Sequence, residues 1–113
     1  MEQLIEKAEE LGGALAEHPR FKALMAARDA VTADDTSCKL MAEYETQVQR
    51  IQDLTLANKP IEVDDKHKFA DLEKRVAADE KIKKLTKAQM EFSELMNRLN
   101  RAIFGKIAPP EKD

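Results

Sequence analysis

The last third of the chain repeats itself every seven residues. Ile82, Gln89, Met96 and Ile103 are spaced by seven, and so are Leu85, Phe92 and Leu99, which interleave with them at steps of three and four. A strand would alternate every two residues, so this period fits only an α-helix with a single apolar seam. The seam predicts a helix from Asp79 to about Phe104, ending before Gly105 and the polar stretch Pro109-Pro110-Glu111-Lys112-Asp113. Such a helix gains most of its stability from packing, so it demands partner helices. Ala88, Leu95 and Ala102 widen the seam on one side, which favours a bundle of more than two helices over a two-stranded coil. Gln89 is its polar member, and a buried polar residue in a seam can set register.

Upstream the same period recurs in shorter runs. Leu4, Ala8, Leu11 and Leu15 form one stripe of a helix from Glu2 to Ala16. Gly12 and Gly13 interrupt it at a cost of about 1 kcal/mol each relative to alanine, which points to close approach of another backbone or a bend. His18-Pro19 ends the pattern and starts a second helix to about Val31, expected to bury Phe21, Leu24, Met25 and Val31.

Thr32-Ala33-Asp34-Asp35 offers N-cap oxygens for a long third helix, Asp35 to Ala57. Its stripe is Met41, Tyr44, Val48, Ile51 and Thr55, flanked by Leu40 and Leu54. Asn58-Lys59-Pro60 stops it, because Asn tolerates the left-handed conformation and Pro cannot continue a helix. Asp64 and Asp65 are expected to cap a fourth helix, Asp65 to Ala78, with Phe69, Leu72 and Val76 on its apolar face. Leu11, Leu15, His18, Phe21 and Leu24 recur 61 residues later as Leu72, Val76, Asp79, Ile82 and Leu85, so each half reads helix, break, helix.

Three Gly, four Pro and no Trp in 113 residues, with 36% charged residues, suit long amphipathic helices and leave few β-formers. The fold expected is all-α: a five-helix antiparallel bundle with two long helices, coiled-coil-like packing and an oligomeric state. Residues 1–105 should form one domain and 106–113 a polar flexible tail. With five aromatic residues, the core must come from Leu, Ile, Val, Met and Ala.

Most chemistry is excluded by what the chain lacks. One cysteine, Cys38, permits no intrachain disulfide and fits a reducing compartment. The start, Met1-Glu2-Gln3-Leu4-Ile5-Glu6-Lys7, has no signal-peptide pattern, and nothing approaches the roughly 20 apolar residues of a membrane span. A cytoplasmic protein without membrane contact is expected. A di-metal carboxylate bundle needs two Glu-x-x-His pairs; Asp64 and His67 make one loose approximation, so no metal or other cofactor is expected. No carboxylate pair sits on an apolar stripe and no phosphate loop or nucleophile motif occurs, which argues against an enzyme.

Charge is unevenly distributed. Residues 1–65 carry 7 Lys/Arg against 14 Asp/Glu, a balance of −7, and residues 66–113 carry 12 against 8, a balance of +4. Opposite halves can attract within a chain or align two chains. Lys81, Lys83, Lys84, Lys87 and Arg98 make the last helix the RNA-facing candidate of an alternative reading, although aromatics for base stacking are absent from that face and direct nucleic-acid contact is not expected. The leading reading is a homo-oligomeric adaptor that also recruits other regulatory proteins. Its assembly residues are Met41, Tyr44, Val48, Ile51, Phe92, Met96, Leu99 and Ile103.

Leu11, His18-Pro19-Arg20-Phe21, Asp35, the long helix with Tyr44, Gln47 and Gln49, Asn58-Lys59-Pro60-Ile61 and the final heptads, together spanning residues 4–104, resemble the YlbF/YmcA family of small bacterial helical proteins. The resemblance implies an all-helical oligomer with a regulatory, non-catalytic role. It further implies a multi-protein complex that influences competence, sporulation and biofilm formation and is linked to mRNA maturation by RNase Y. Asn58 stands where the family commonly has glycine. The cysteine-rich tail of some members is absent, so no iron-sulfur role carries over.

Overall fold

The computed structural model describes residues 1–107. Five helices follow in order: α1 (Glu2–Ala16), α2 (Pro19–Ala33), α3 (Asp35–Leu56), α4 (Val63–Ala78) and α5 (Glu80–Ile107). There is no strand among the described residues. The all-α expectation and the order of five helices hold. The seam helix runs three residues beyond the expected Phe104, to Ile107. The expected tail at 106–113 therefore begins inside α5, and its part at 108–113 lies outside the described residues.

The helix breaks follow from capping chemistry. His18 accepts the Arg20 backbone N–H on Nδ1 at 3.0 Å, and its carbonyl receives the Phe21 and Lys22 N–H groups, so this histidine caps α2. Asp34 is the N-cap of α3 and accepts from the Ser37 backbone N–H at 3.0 Å. At the far end of α3, Asn58 adopts φ 56°. Its N–H reaches the Thr55 carbonyl at 3.2 Å, and the Lys59 N–H reaches the Leu54 carbonyl at 2.9 Å. That pair of bonds is a Schellman closure with Asn as the left-handed residue. Asp64 and Asp65 do not cap α4 as expected; Glu62 is the N-cap and both aspartates lie in the first turn.

Contacts gather into two compact units, residues 1–26 with 86–107 and residues 27–85. Helices α2 and α5 each contribute to both. The second unit contains the α3–α4 hairpin. Arg50 and Gln47 meet Asp65, Tyr44 stacks on Phe69, and Glu43 meets Arg75. As the α3 partner steps back from 50 to 43, the α4 partner advances from 65 to 75, so the two helices are antiparallel. Val31, Leu40, Leu72, Ile82 and Leu85 are buried in this unit.

The buried line of α3 is rotated from the one expected. Ser37, Leu40 and Gln47 are buried, Tyr44, Ile51 and Leu54 are half-buried, and Thr55 is exposed with its hydroxyl turned onto the Ile51 carbonyl at 2.8 Å. Three further expectations fail. Met25 is exposed. Gln89 is exposed while its neighbour Ala88 is buried, so Gln89 does not set register from within a seam. A Cβ added at Gly12 or Gly13 would meet nothing within 4 Å, so no other backbone of the described chain approaches either, and α1 runs through both without a break.

Candidate association surface

In the second unit the polar side chains are spent on the fold. Gln47, only 2% exposed, donates its Nε2–H to the Asp65 carbonyl oxygen at 3.0 Å and to Oδ1 at 3.4 Å. Arg50 closes the group, with Nε donating to Asp65 Oδ1 at 2.8 Å and Nη2 to Oδ2 at 3.4 Å. The two donors of this guanidinium fork hold the Asp65 carboxyl below its ordinary value; burial opposes them and the Gln47 and Glu62 N–H groups assist. In return the Arg50 guanidinium is held above its ordinary value, first by that hydrogen bond and then by the Asp65 charge. Among the described residues every buried side-chain N or O finds a partner.

A second polar group ties the starts of α3 and α5. Asp79 accepts the Ile82 backbone N–H on Oδ1 at 3.0 Å and the Ser37 hydroxyl on Oδ2 at 2.7 Å. Asp34 accepts from Lys81 Nζ at 2.6 Å as well as from Ser37. Asp34 thus titrates below its ordinary value, mainly through Lys81, and Asp79 does so mainly through the Ile82 N–H and then Ser37. An open groove of about 860 Å³ lies along α3 around Glu45, Gln49, Asp53 and Lys59. Its polar groups are engaged in part: Gln49 Nε2 donates to Asp53 Oδ1 at 2.9 Å, and Arg50 is held by Asp65.

The first unit differs. Phe21 and Phe92 pack ring against ring at 5.7 Å, and Arg20 Nη1 donates to the Glu91 carbonyl at 3.0 Å and lies 3.6 Å from Glu94. Towards the start of α1 and the end of α5 the apolar side chains are open. None of α1 is buried. Leu4 is 68% exposed and Ile5 50%, and at the other end Phe104 is 62% and Ile107 71%. Along α5 burial falls steadily: Ile82, Leu85 and Ala88 are buried, Phe92, Leu95, Met96 and Leu99 half-buried, and Ile103, Phe104 and Ile107 exposed.

The eight assembly residues read from the sequence are therefore dispersed. Met41, Tyr44, Val48 and Ile51 are half-buried on α3, with Tyr44 stacked on Phe69 at a ring distance of 5.8 Å. Phe92, Met96 and Leu99 are half-buried on α5 and Ile103 is exposed. The five RNA-facing candidates, Lys81, Lys83, Lys84, Lys87 and Arg98, are all exposed. Three of them face carboxylates: Lys81 with Asp34, Lys83 with Glu80 at 3.3 Å and Lys87 with Glu91 at 3.9 Å. Carboxylates interleaved with cations weaken a phosphate-binding face.

Sequence reasoning missed the α1 stripe as a surface, and it missed Gln47 and Asp65 as a buried pair. The exposure of α1 left no separate signal, because a stripe that packs inside the chain has the same spacing as one that packs outside it. Among the described residues no cluster of three or more His, Cys, Asp or Glu could hold a metal ion, and no helix is long and apolar enough to cross a membrane. Residues 4–108 match the family described as control of the competence regulator ComK, YlbF/YmcA. A UPF0342 protein of Levilactobacillus brevis is 31% identical over 94 residues, covering 83% of this chain and 82% of that protein. UPF0342 proteins of Desulfitobacterium hafniense (23% identical; 94% of this chain, 81% of that protein) and Streptococcus pyogenes (19%; 94% of each) are similar over a greater share of this chain.

Proposed function

Because this chain belongs to the YlbF/YmcA family, a regulatory family by its description, we infer that it is a cytoplasmic adaptor that acts through helix–helix association with its own copies and with other regulatory proteins, and not through catalysis. The observation that carries this reading is the apolar surface of the first unit, where Leu4, Ile5, Ile103, Phe104 and Ile107 stand open to solvent. Large apolar side chains left exposed at neighbouring turns of a helix, as Leu4 with Ile5 and Ile103 with Phe104 and Ile107 are, mark a site for another macromolecule.

In this reading Met96, Leu99 and Ile103 on α5, with Met41, Val48 and Ile51 on α3, become further covered on assembly. Tyr44 and Phe92 contribute through the rings they hold, Phe69 and Phe21. The regulated process is competence, with sporulation, biofilm formation and RNase Y-dependent mRNA maturation affected through the same complex. The test is an in-frame deletion in the host, read by competence-gene transcripts and by RNase Y-dependent processing of polycistronic mRNA. Wild-type chain should restore both and Ile103→Glu/Phe104→Glu neither. Full restoration by that double variant, at equal protein level, would contradict the reading.

A further inference from the structure

Helices α1 and α4 hold equivalent places in the two halves of the sequence, yet they are secured very differently. At the offset of 61 residues Leu11 corresponds to Leu72, and the two are 38% and 1% exposed. Helix α4, 16 residues long, is tied along its length by Asp65 to Gln47 and Arg50, by Phe69 to Tyr44 and by Arg75 to Glu43. Helix α1, 15 residues long, buries nothing, and Leu15 near its end is its one half-buried side chain. Among the described residues no side chain of α1 makes a hydrogen bond or an ion pair. The first such ties come after it, Glu17 with Lys22 and His18 with Arg20.

A helix without tertiary support depends on its own sequence, and the sequence of α1 supports a helix weakly. Isolated helices shorter than about 12–15 residues are marginal in water even when rich in alanine. The N-cap of α1, Met1, makes no side-chain hydrogen bond, and the last turn carries no basic residue. Glu2 with Glu6, and Glu6 with Glu10, are like charges four residues apart. Glycine is the poorest helix former short of proline, and the space around Gly12 and Gly13 would admit a Cβ, so packing within the described chain does not require either.

We propose that α1 is a strap that opens by itself in the free chain. It unwinds from its start toward Leu15 while α2 to α5 stay folded, and Gly12-Gly13 is the weak point that sets how often it does so. A surface that covers Leu4 and Leu11 then captures α1 as helix and offsets the entropy of ordering it, so the glycines keep docking through this stripe weak and reversible. The opening goes beyond the adaptor reading; only its coupling to docking rests on that reading.

Hydrogen exchange read by mass spectrometry on dilute chain tests the opening. Amides of residues 6–13 should be protected about a hundredfold less, or weaker still, than those of residues 68–76 in α4. Gly12→Ala with Gly13→Ala should raise the protection of α1 by about tenfold or more and leave that of α4 unchanged. Glu9→Pro should abolish the protection of α1 without lowering the thermal midpoint of the remaining helices. Protection of α1 equal to that of α4, no gain from the alanines, or a midpoint lowered by Glu9→Pro would overturn the proposal. The coupling is read from sedimentation of Gly13→Ala, whose methyl group lies on the back of the Leu4 stripe at 100° per residue. Wherever wild-type chain associates, this variant should associate about threefold to fivefold more tightly. Unchanged affinity would overturn the coupling and leave the adaptor reading with another surface. A chain that is monomeric at every concentration would overturn the self-association reading and the coupling with it, while the opening, measured on monomer, stands.

Discussion

The two compact units of this chain use the same residue types to opposite ends. Residues 27–85 bury five large aliphatic side chains and direct Gln47, Arg50, Ser37 and Lys81 onto three aspartates. Residues 1–26 with 86–107 bury one apolar residue, Ala88, among those described, and bury no residue of α1. An apolar stripe satisfied within the chain is core; the same stripe left open is, in the proposed reading, a surface for association. In that reading the first unit is where binding energy is available, and the second is where folding energy is already committed.

The comparison breaks most visibly at Leu72, which is 1% exposed. Leu72→Ala should cost about 3 kcal/mol in denaturant unfolding, while Leu4→Ala, measured on dilute monomer, should stay within about 0.5 kcal/mol. Comparable losses would mean that α1 is as much part of the core as α4. Next is Gln47→Ala, expected to cost about 2 kcal/mol because it opens a small gap and strips the Asp65 carbonyl of its buried donor. A cost under about 0.5 kcal/mol would show that water replaces the amide without loss.

Gly13→Ala should stabilise α1 by up to about 1 kcal/mol, since its Cβ meets no atom within 4 Å, and thermal melting would register the gain. A loss would reveal a neighbour at that position. The smallest effect is in acid. Asp34, Asp65 and Asp79 titrate below their ordinary values in the folded state, so their stabilisation is complete above the ordinary carboxyl pKa and is lost as pH falls through the lowered folded values. Asp79→Asn should therefore flatten the acid limb of a stability-versus-pH curve, and an unchanged limb would argue that Asp79 carries no such linkage.

The helices were legible because their boundaries are written in local chemistry. Asp34, Asp79, Asn58 and Pro19 each start or stop a helix through backbone groups within a few residues, so the sequence contains the whole of that capping interaction. Gln47 was not legible as core because what makes its burial tolerable, the Asp65 carbonyl and carboxyl, lies 18 residues away. The same distance problem rotated the expected stripe of α3 from Val48 toward Gln47. Gln89 misled in the opposite sense, since strict seven-residue spacing ignores that Ala88, small and adjacent, can take the inward position. The apolar periodicity of α1 was plain, but periodicity alone does not say whether the partner belongs to the same chain.

The central claim is that the open stripes of the first unit are covered by association. Sedimentation velocity from below 1 to tens of micromolar tests it most directly at roughly physiological salt, where charge steering is screened beyond about 8 Å. The account predicts a shift from the 12.8 kDa chain toward twice that mass, abolished by Ile103→Glu with Phe104→Glu. A single 12.8 kDa species across the whole range would contradict it.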